Sequence, residues 1–403
     1  MRILHIEKDY AIVQGKSKKT GGIIPVAIPT SELAYPVTYK GNEYKKEEIS
    51  FCSDCGDFIP AGNKVVIQGM VLCSGCSWNY IPCTKCGEIH NKKVDMEFVD
   101  GSYICHKCIE KDDSIQLCDS CGEFTHVDNL SKVDGRYICH ECLHVIYREC
   151  IKEYHLSRSV QYYSTPYKSD TRRKTTKLYL GMELEMPFIG EDNGELAYSI
   201  LKNPYLKIEK DTSIKDGFEV ISDAMTLEVW QKEGFKSIGN AVSLAKKEGF
   251  KEHFSSGIHV HFHNEPFTPE QLKNIGAFVM LHYIDCIRFG RRDPLHLDFC
   301  ESIDDTGSIM EDCRGHRMAV NFEHPLHTEL RFFATSTDLN HIQAILEFVY
   351  CLCMTALRVN KLFEWEDLYQ TAKSSGICPH FIKEYENNFN CKEIEGYDYT
   401  QVM

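Results

Sequence analysis

At 403 residues the chain is longer than one ordinary domain, and its 43% hydrophobic content is enough for at least one large core. Forty-five basic against 59 acidic side chains leave a formal charge of −14, a balance that disfavours indiscriminate binding to nucleic acid. The opening stretch MRILHIEKDYAIV is broken by Glu7, Lys8 and Asp9, and the most apolar late run, 348–357, is far shorter than the roughly 20 residues that span a bilayer, so neither export nor a membrane partner is expected.

Residues 1–50 carry short strand-like stretches punctuated by Gly and Pro, to which no role is assigned. An internal repeat follows. Cys52, Cys55, Cys73 and Cys76 have the spacing C-x2-C-x17-C-x2-C; Cys83, Cys86, Cys105 and Cys108 repeat it with 18 intervening residues, and Cys118, Cys121, Cys139 and Cys142 with 17. Paired pairs of thiols at this spacing are ligands for structural Zn²⁺, and four cysteines leave no open position for catalysis. Gly56, Gly87 and Gly122 follow each first pair, where the chain turns around a metal. Gln68-Gly69, Asp100-Gly101 and Asp134-Gly135 sit where a hairpin turn brings the second pair back to the first. Modules are expected at 51–78, 81–110 and 116–155, the last with a trailing helix. Three Zn²⁺ held by thiolates would carry the net charge to roughly −20.

The modules resemble zinc ribbons and the related treble-clef and LIM-like units, which implies zinc binding and leaves open whether they dock a protein, a substrate, nucleic acid or nothing. A protein-docking or stiffening role is favoured, because few aromatic or arginine residues are interleaved with the ligands. The remaining eight of the 20 cysteines, among them Cys286, Cys351 and Cys353, lie in apolar segments and read as small core residues.

A basic stretch with Arg172, Arg173 and Lys174 closes a linker expected over 156–176. From residue 177 strands and helices alternate to the end of the chain. Strands are predicted over 178–187 and 217–222 with a short helix over 196–201 between them, then a helix over 226–247 and a strand over 258–262. Thr268-Pro269-Glu270-Gln271 is a capping box opening a helix to about residue 289. Strands over 317–322 and 329–333 pair across His324-Pro325-Leu326-His327, and a long helix follows Asp338. The fold class is α+β, with helices covering one side of a sheet whose other side stays polar.

Three of these strands, GMELEMP, GIHVHFH and TELRFF, alternate with period two. Met182, Leu184, Met186, Val260, Phe262, Leu330 and Phe332 share one face; Glu183, Glu185, His259, His261, Glu329 and Arg331 share the other. Crowded carboxylates repel unless a cation sits among them, so the pattern points to divalent metal. Taken singly, two glutamates on one strand are ordinarily a solvent-facing edge, and E-x-R is ordinarily a cross-strand ion pair.

The joint order is more specific: G-x-E-x-E at Gly181, K-D-x-S at Lys210, G-F-E-V-I-S at Gly217, S-G-I-H-V-H at Ser256, R-x-A-V-N at Arg317 and T-E-L-R-F-F at Thr328. It resembles the amidoligase family of bacteria and phages, a branch of the carboxylate–amine ligases with a glutamine-synthetase-like fold, over about residues 177–360. The resemblance implies an antiparallel sheet with helices on one face. It also implies an enzyme that uses ATP and two or more Mg²⁺ to phosphorylate a carboxylate, whose acyl phosphate an amine attacks. Carried over, Glu183, Glu185, Glu219, His259 and Glu329 hold metal, His261 orients substrate or nucleotide, Arg331 and Arg317 contact phosphate, and Asp211 positions the amine or ligates metal; His263 is left as surface. The implied substrates are a carboxylate and an amine, on a peptide, protein or cell-wall component, in the cytoplasm or, for a phage protein, that of its host. Two other classes stay open: a non-catalytic zinc-array adaptor with a ligase-like scaffold, and a metal-dependent hydrolase or phosphotransferase on the same face.

Overall fold

The computed structural model describes residues 2–6, 8–17, 22–170, 177–298, 300–303, 309–315 and 317–389. The chain divides into two units, Met1–Leu143 and His144–Met403.

The first unit opens with a five-stranded sheet in the order Ile23–Pro29, Tyr10–Lys16, Arg2–Ile6, Val37–Tyr39, Asn42–Tyr44, packed around Ile3, Ile6, Ala11, Val13 and Val37. Each cysteine module then repeats one plan. A hairpin such as Ile49–Phe51 with Phe58–Pro60 holds the first pair at its tip, a second hairpin such as Val65–Ile67 with Met70–Leu72 leads to the second pair, and that pair opens a helical turn at Ser74–Ser77. The second hairpins turn where the sequence places them: Gln68 and Gly69, Asp100 and Gly101, and Asp134 and Gly135 all have positive φ, the conformation of a tight two-residue turn. The first hairpin of each module was not foreseen. In the third module the terminal turn lengthens into the helix His140–Cys150. Asp100 of the second module accepts hydrogen bonds from Thr125 and from the His126 N–H of the third, and Ile115 joins the core of the second, so these two modules pack as one body.

The second unit is built on a nine-stranded sheet. Its strands, labelled here from the start of this unit, are β1 Tyr162–Thr165, β2 Lys168–Ser169, β3 Leu180–Met186, β4 Leu206–Glu209, β5 Phe218–Ser222, β6 Ala224–Met225, β7 Gly257–His263, β8 Val320–Asn321 and β9 His327–Ala334. The order is β2-β1-β6-β3-β7-β9-β8, with β5 and then β4 also flanking β3, and every pairing but β1 with β6 is antiparallel. One face is apolar: Leu180, Met182, Leu184, Met186, Val220, Ile258, Val260, Phe262, Leu330 and Phe332 are fully buried. They pack with helices α1 Gly194–Leu201, α2 Phe235–Lys247, α3 Pro269–Leu281, α4 Tyr283–Phe289, α5 Leu339–Arg358, α6 Trp365–Ser375 and α7 Pro379–Phe389 in one continuous core. Each large side chain withdrawn from water here contributes about 1.5–3 kcal/mol.

Helix boundaries follow local chemistry. Thr268 caps α3 with the expected box, but that helix breaks at His282 before α4 begins. The run expected over 226–247 is a short turn at Leu227–Val229, a π-type turn at Trp230–Gly234 and then α2. The π turn accompanies Trp230, whose buried indole N–H donates to the Leu180 carbonyl of β3 at 2.9 Å. α5 is long and apolar enough to cross a membrane by length and composition, yet 72% of that window lies inside the domain, as a core helix does.

Three expectations are corrected. Residues 162–165 and 168–169 are strands of the sheet rather than linker, while 171–176, with Arg172, Arg173 and Lys174, lie outside the described residues. Residues 151–155, expected as the tail of the third zinc module, belong to the second unit: Ile151 is in its core, and Lys152 bridges to Glu209 at the sheet edge. The strand expected over 317–322 is reduced to β8, because only Val320 and Asn321 pair with β9.

Candidate functional site

The register of the sheet arranges the polar face in rows. Glu209 of β4, Glu219 of β5 and Glu185 of β3 are direct cross-strand partners. Gly257 of β7 continues that row and donates its N–H to Glu185 Oε2 at 2.6 Å. The next row holds Ile221, Glu183 and His259, and the third His261, Glu329 and Asn321. A bulge in β9 sets two residues, Arg331 and Phe332, against His259 alone. It lets Phe332 and Phe333 both enter the core while Arg331 stays on the polar face, ion-paired to Glu329.

Four strands thus converge on one cluster. His259 Nδ1 lies 3.2 Å from Glu183 Oε2 and 3.4 Å from Glu329 Oε1, and its Nε2 lies 3.6 Å from Glu185 Oε1. His261 Nε2 is 3.1 Å from Glu183 Oε1, and Asn321 donates to Glu329 Oε2 at 3.1 Å. Burial pulls the charge off His261, but the neighbouring Glu183 outweighs it and lifts the pKa to about 8. The imidazoles in turn overcome the burial of Glu183 and hold it well below the usual carboxylate range. Glu219 behaves oppositely: burial, then the charges of Glu183, Glu185, Asp211 and Glu329, push it well above. Burial raises Glu185 too, against His259 and the Gly257 N–H.

Burial and like charge thus weigh most on Glu219, whose shift has no positive neighbour among its causes. Ligand atoms of Glu183, Glu219 and His259 lie within 4.8 Å of one another, a span that a hard divalent cation bonded at about 2.0–2.6 Å can bridge. Glu185 and Glu329 offer further oxygens at either side. The residues fit such an ion.

Asp211 is half-buried after β4 and close enough to raise Glu185 and Glu219 electrostatically. Arg317 is 70% exposed and 3.8 Å from Glu301, apart from the cluster, because it precedes β8 instead of lying in a strand. His263 is not surface but buried, packed against the rings of Tyr162 and Tyr179. His327, next to His261, is driven down to about 4 by burial and by the neighbouring imidazoles.

Sequence reasoning missed several residues here. Glu209 extends the acidic row, and the alternation Leu206, Lys207, Ile208, Glu209 was the signal for it. Arg292 is buried and donates to the carbonyls of Ser256 and Phe333, beside Gly257 and His259. Tyr154 feels the charges of Glu183, Glu219, Asp211 and Arg331. Neither Arg292 nor Tyr154 sits in a pattern that announces it.

The cysteine modules form three separate four-thiol clusters, each with its sulfurs within 4.8 Å of one another. Cys55 with Cys73 and Cys86 with Cys105 have sulfurs 3.9 Å apart, close to the edge of a tetrahedron with Zn–S bonds of about 2.3 Å. Backbone N–H groups point at the first sulfur of each set, from Cys73 to Cys52, Cys105 to Cys83 and Cys139 to Cys118. Against their burial, backbone donors, that of Cys55 ahead of Cys73 for Cys52, bring Cys52, Cys83 and Cys118 each to about 6, favouring the thiolate. The clusters are consistent with Zn²⁺ sites.

No family model matches the chain, and no curated protein does. Among solved structures it is similar to one described as the complex between the prokaryotic ubiquitin-like protein Pup and its ligase PafA, at 14% identity and a TM-score of 0.26, over 50% of this chain and 51% of that one. The chain thus spans about half the length of the protein it matches, an overlap too slight to fix fold or chemistry.

Proposed function

We propose that the second unit is an ATP- and Mg²⁺-dependent carboxylate–amine ligase and that the zinc modules recruit its substrate or a protein partner. The observation that carries this reading is the meeting of Glu183, Glu219 and His259 from three strands, flanked by Glu185 and Glu329, with Arg331 beside them. A transfer between two anions, a nucleotide phosphate and a carboxylate, needs this combination of cation ligands and a fixed guanidinium.

In this reading Glu183, Glu219 and His259 would hold one Mg²⁺, and Glu185 and Glu329, on either side of His259, would supply oxygens to further Mg²⁺. When bound, the ions neutralise the phosphate oxygens and so permit the carboxylate to approach. Arg331, kept in place by Glu329, meets the charge that develops on the transferred phosphoryl group. ATP is cleaved to ADP as the carboxylate becomes an acyl phosphate; an amine then attacks the acyl carbon, phosphate leaves, and the amide forms. Asp211, at the edge of the cluster, accepts a proton of the incoming amine. Burial of the apolar face fixes the strands, so these groups keep their spacing without reorganising. The thiolate modules suit a reducing cytoplasm.

The test is hydroxamate formation from Mg-ATP, hydroxylamine and pooled carboxylates, including cell-wall peptides, with Glu183→Ala as control. Hydroxamate from the wild type alone traps the acyl phosphate and identifies the carboxylate. ATP-independent ester or phosphate hydrolysis, without hydroxamate, would replace the ligase with a hydrolase.

A further inference from the structure

The segment joining the helix His140–Cys150 to β1 has no part in the roles assigned so far, yet it is bound to the polar face. Lys152 N–H donates to the Ile208 carbonyl at 3.2 Å, and Lys210 N–H returns a bond to the Lys152 carbonyl at 2.7 Å, so the chain runs beside β4 as an extra edge. It then turns, closed by a bond from Leu156 N–H to the Glu153 carbonyl at 2.9 Å. His155 takes a left-handed backbone there, with φ of 60°, a conformation its β-carbon disfavours. The turn is held by Glu209, whose carboxylate accepts from His155 N–H at 2.7 Å and from the Ser157 hydroxyl.

Glu209 stands in the same cross-strand row as Glu219 and Glu185. A turn clamped to it is therefore a wall of the acidic cluster, and the residue at its corner is Tyr154. The ring of Tyr154 packs against that of His155 at 3.8 Å between centroids, and 47% of the residue remains exposed. We propose that Tyr154 is a ligand-binding residue whose hydroxyl donates a hydrogen bond to an oxyanion, phosphoryl or carboxylate, held at the cation site.

Beside carboxylates that a cation occupies, a donor can meet the oxygen of an anion that the cation brings in. A phenol is protonated at neutral pH, so at this turn, docked on Glu209, Tyr154 is a donor and not a base. The left-handed residue and the buried Glu209 are the devices that hold it there. The inference rests on the cation site proposed above and adds the chemistry of its ligand.

The test compares wild type with Tyr154→Phe, which keeps the ring and removes the hydroxyl. Mn²⁺ is titrated first, by electron paramagnetic resonance, and the loaded protein is then titrated with AMP-PNP and, separately, with acetate. Expected is an unchanged Mn²⁺ affinity with about tenfold weaker binding of one anion, the factor that one hydrogen bond to a charged oxygen carries. Weaker AMP-PNP alone assigns Tyr154 to the phosphoryl group, weaker acetate alone to the carboxylate. Equal affinities in both proteins for both anions overturn the assignment while leaving the ligase reading intact. Wild type that takes acetate but no nucleotide removes the ligase reading, and Tyr154 is then judged on acetate. Wild type that binds Mn²⁺ and neither anion, or no Mn²⁺ at all, overturns both.

Discussion

Replacing Glu219 by glutamine should stabilise the protein when divalent ions are absent and weaken its response to them when they are added. Glu219 is 3% exposed, lies directly opposite Glu185, and has a ligand atom within 4.8 Å of one on Glu183. Two unit charges at that separation repel by about 3 kcal/mol at an effective dielectric near 20. That repulsion and burial are why its pKa stands well above the usual range. The sign follows from linkage: between an unfolded value near about 4.3 and the higher folded one, the native state holds a proton that the unfolded chain has lost, so stability falls as pH rises.

Glutamine does not ionise, and the expected gain for Glu219→Gln at pH 8 is on the order of 1–3 kcal/mol, or several degrees in Tm, fading towards pH 5. Adding Mn²⁺ should reverse the ranking, because the metal stabilises more the protein that binds it more tightly. Trp230 and Trp365 are buried in the second unit, whereas Trp78 in the first is 76% exposed, so tryptophan fluorescence during melting follows the unit of interest. The divalent-free buffer must contain no chelator, which would also strip the cysteine clusters. A lower Tm for Glu219→Gln at pH 8 without metal would refute the electrostatic argument, as would an equal Mn²⁺ shift in both proteins.

Two other predictions concern regions away from the cluster. Elemental analysis of protein purified without chelator should find three Zn²⁺ per chain, and Cys118→Ser should remove one and unfold the third module while Mn²⁺ binding by the second unit persists; one zinc or none in the wild type removes the array as read. On α7, His341 at 3.4 Å and Arg291 at 2.8 Å hold Glu384 down at about 2 against its burial, so its stabilisation is present above an unfolded value near about 4.3 and is lost as pH falls through the folded value. Glu384→Gln should cost about 1–2 kcal/mol at pH 7, discounted because Arg291 is 44% exposed, and almost nothing at pH 2; a loss that is independent of pH in urea titrations would point to packing instead.

The parts of this protein that were legible in the sequence are those set by local rules. Thiol pairs and the glycines between them have a fixed meaning at fixed spacing, and the hairpin turns fall where Gly69, Gly101 and Gly135 stand. Strict alternation placed Glu183, Glu185, His259, His261, Glu329 and Arg331 on one face, because a strand allows no other assignment once the apolar set is buried. Alternation along a strand does not give the partner across it. That Glu185 faces Glu219, and that Arg331 and Phe332 share one partner, depend on register and on a bulge that no single strand encodes. Arg317 lies apart for the same reason: the backbone over 317–319 runs beside Glu301, joining β9 only where Ala319 accepts from Arg331 N–H, and the Arg317 side chain goes to Glu301.

Tyr154 is the sharper case, since it lies 29 residues before Glu183 in the chain and was counted with a different module. Nothing around it alternates or repeats; what places it is the carboxylate of Glu209, buried with partners from that turn. A buried carboxylate must find donors, and here the donors lie in a segment that crosses the sheet edge. The same requirement explains why the acidic face coexists with a stable fold. Glu209 is satisfied by backbone and hydroxyl donors, Glu329 by Asn321 and Arg331, and Glu183 by the His259 imidazole, with that of His261 close by. Glu185 has the Gly257 N–H, and Glu219, fourth of the glutamates gathered around His259, is the one that burial and like charge push well above the usual carboxylate range. Which acid is least provided for is thus set by the strand register that brings Glu219 opposite Glu185, and not by any one side chain.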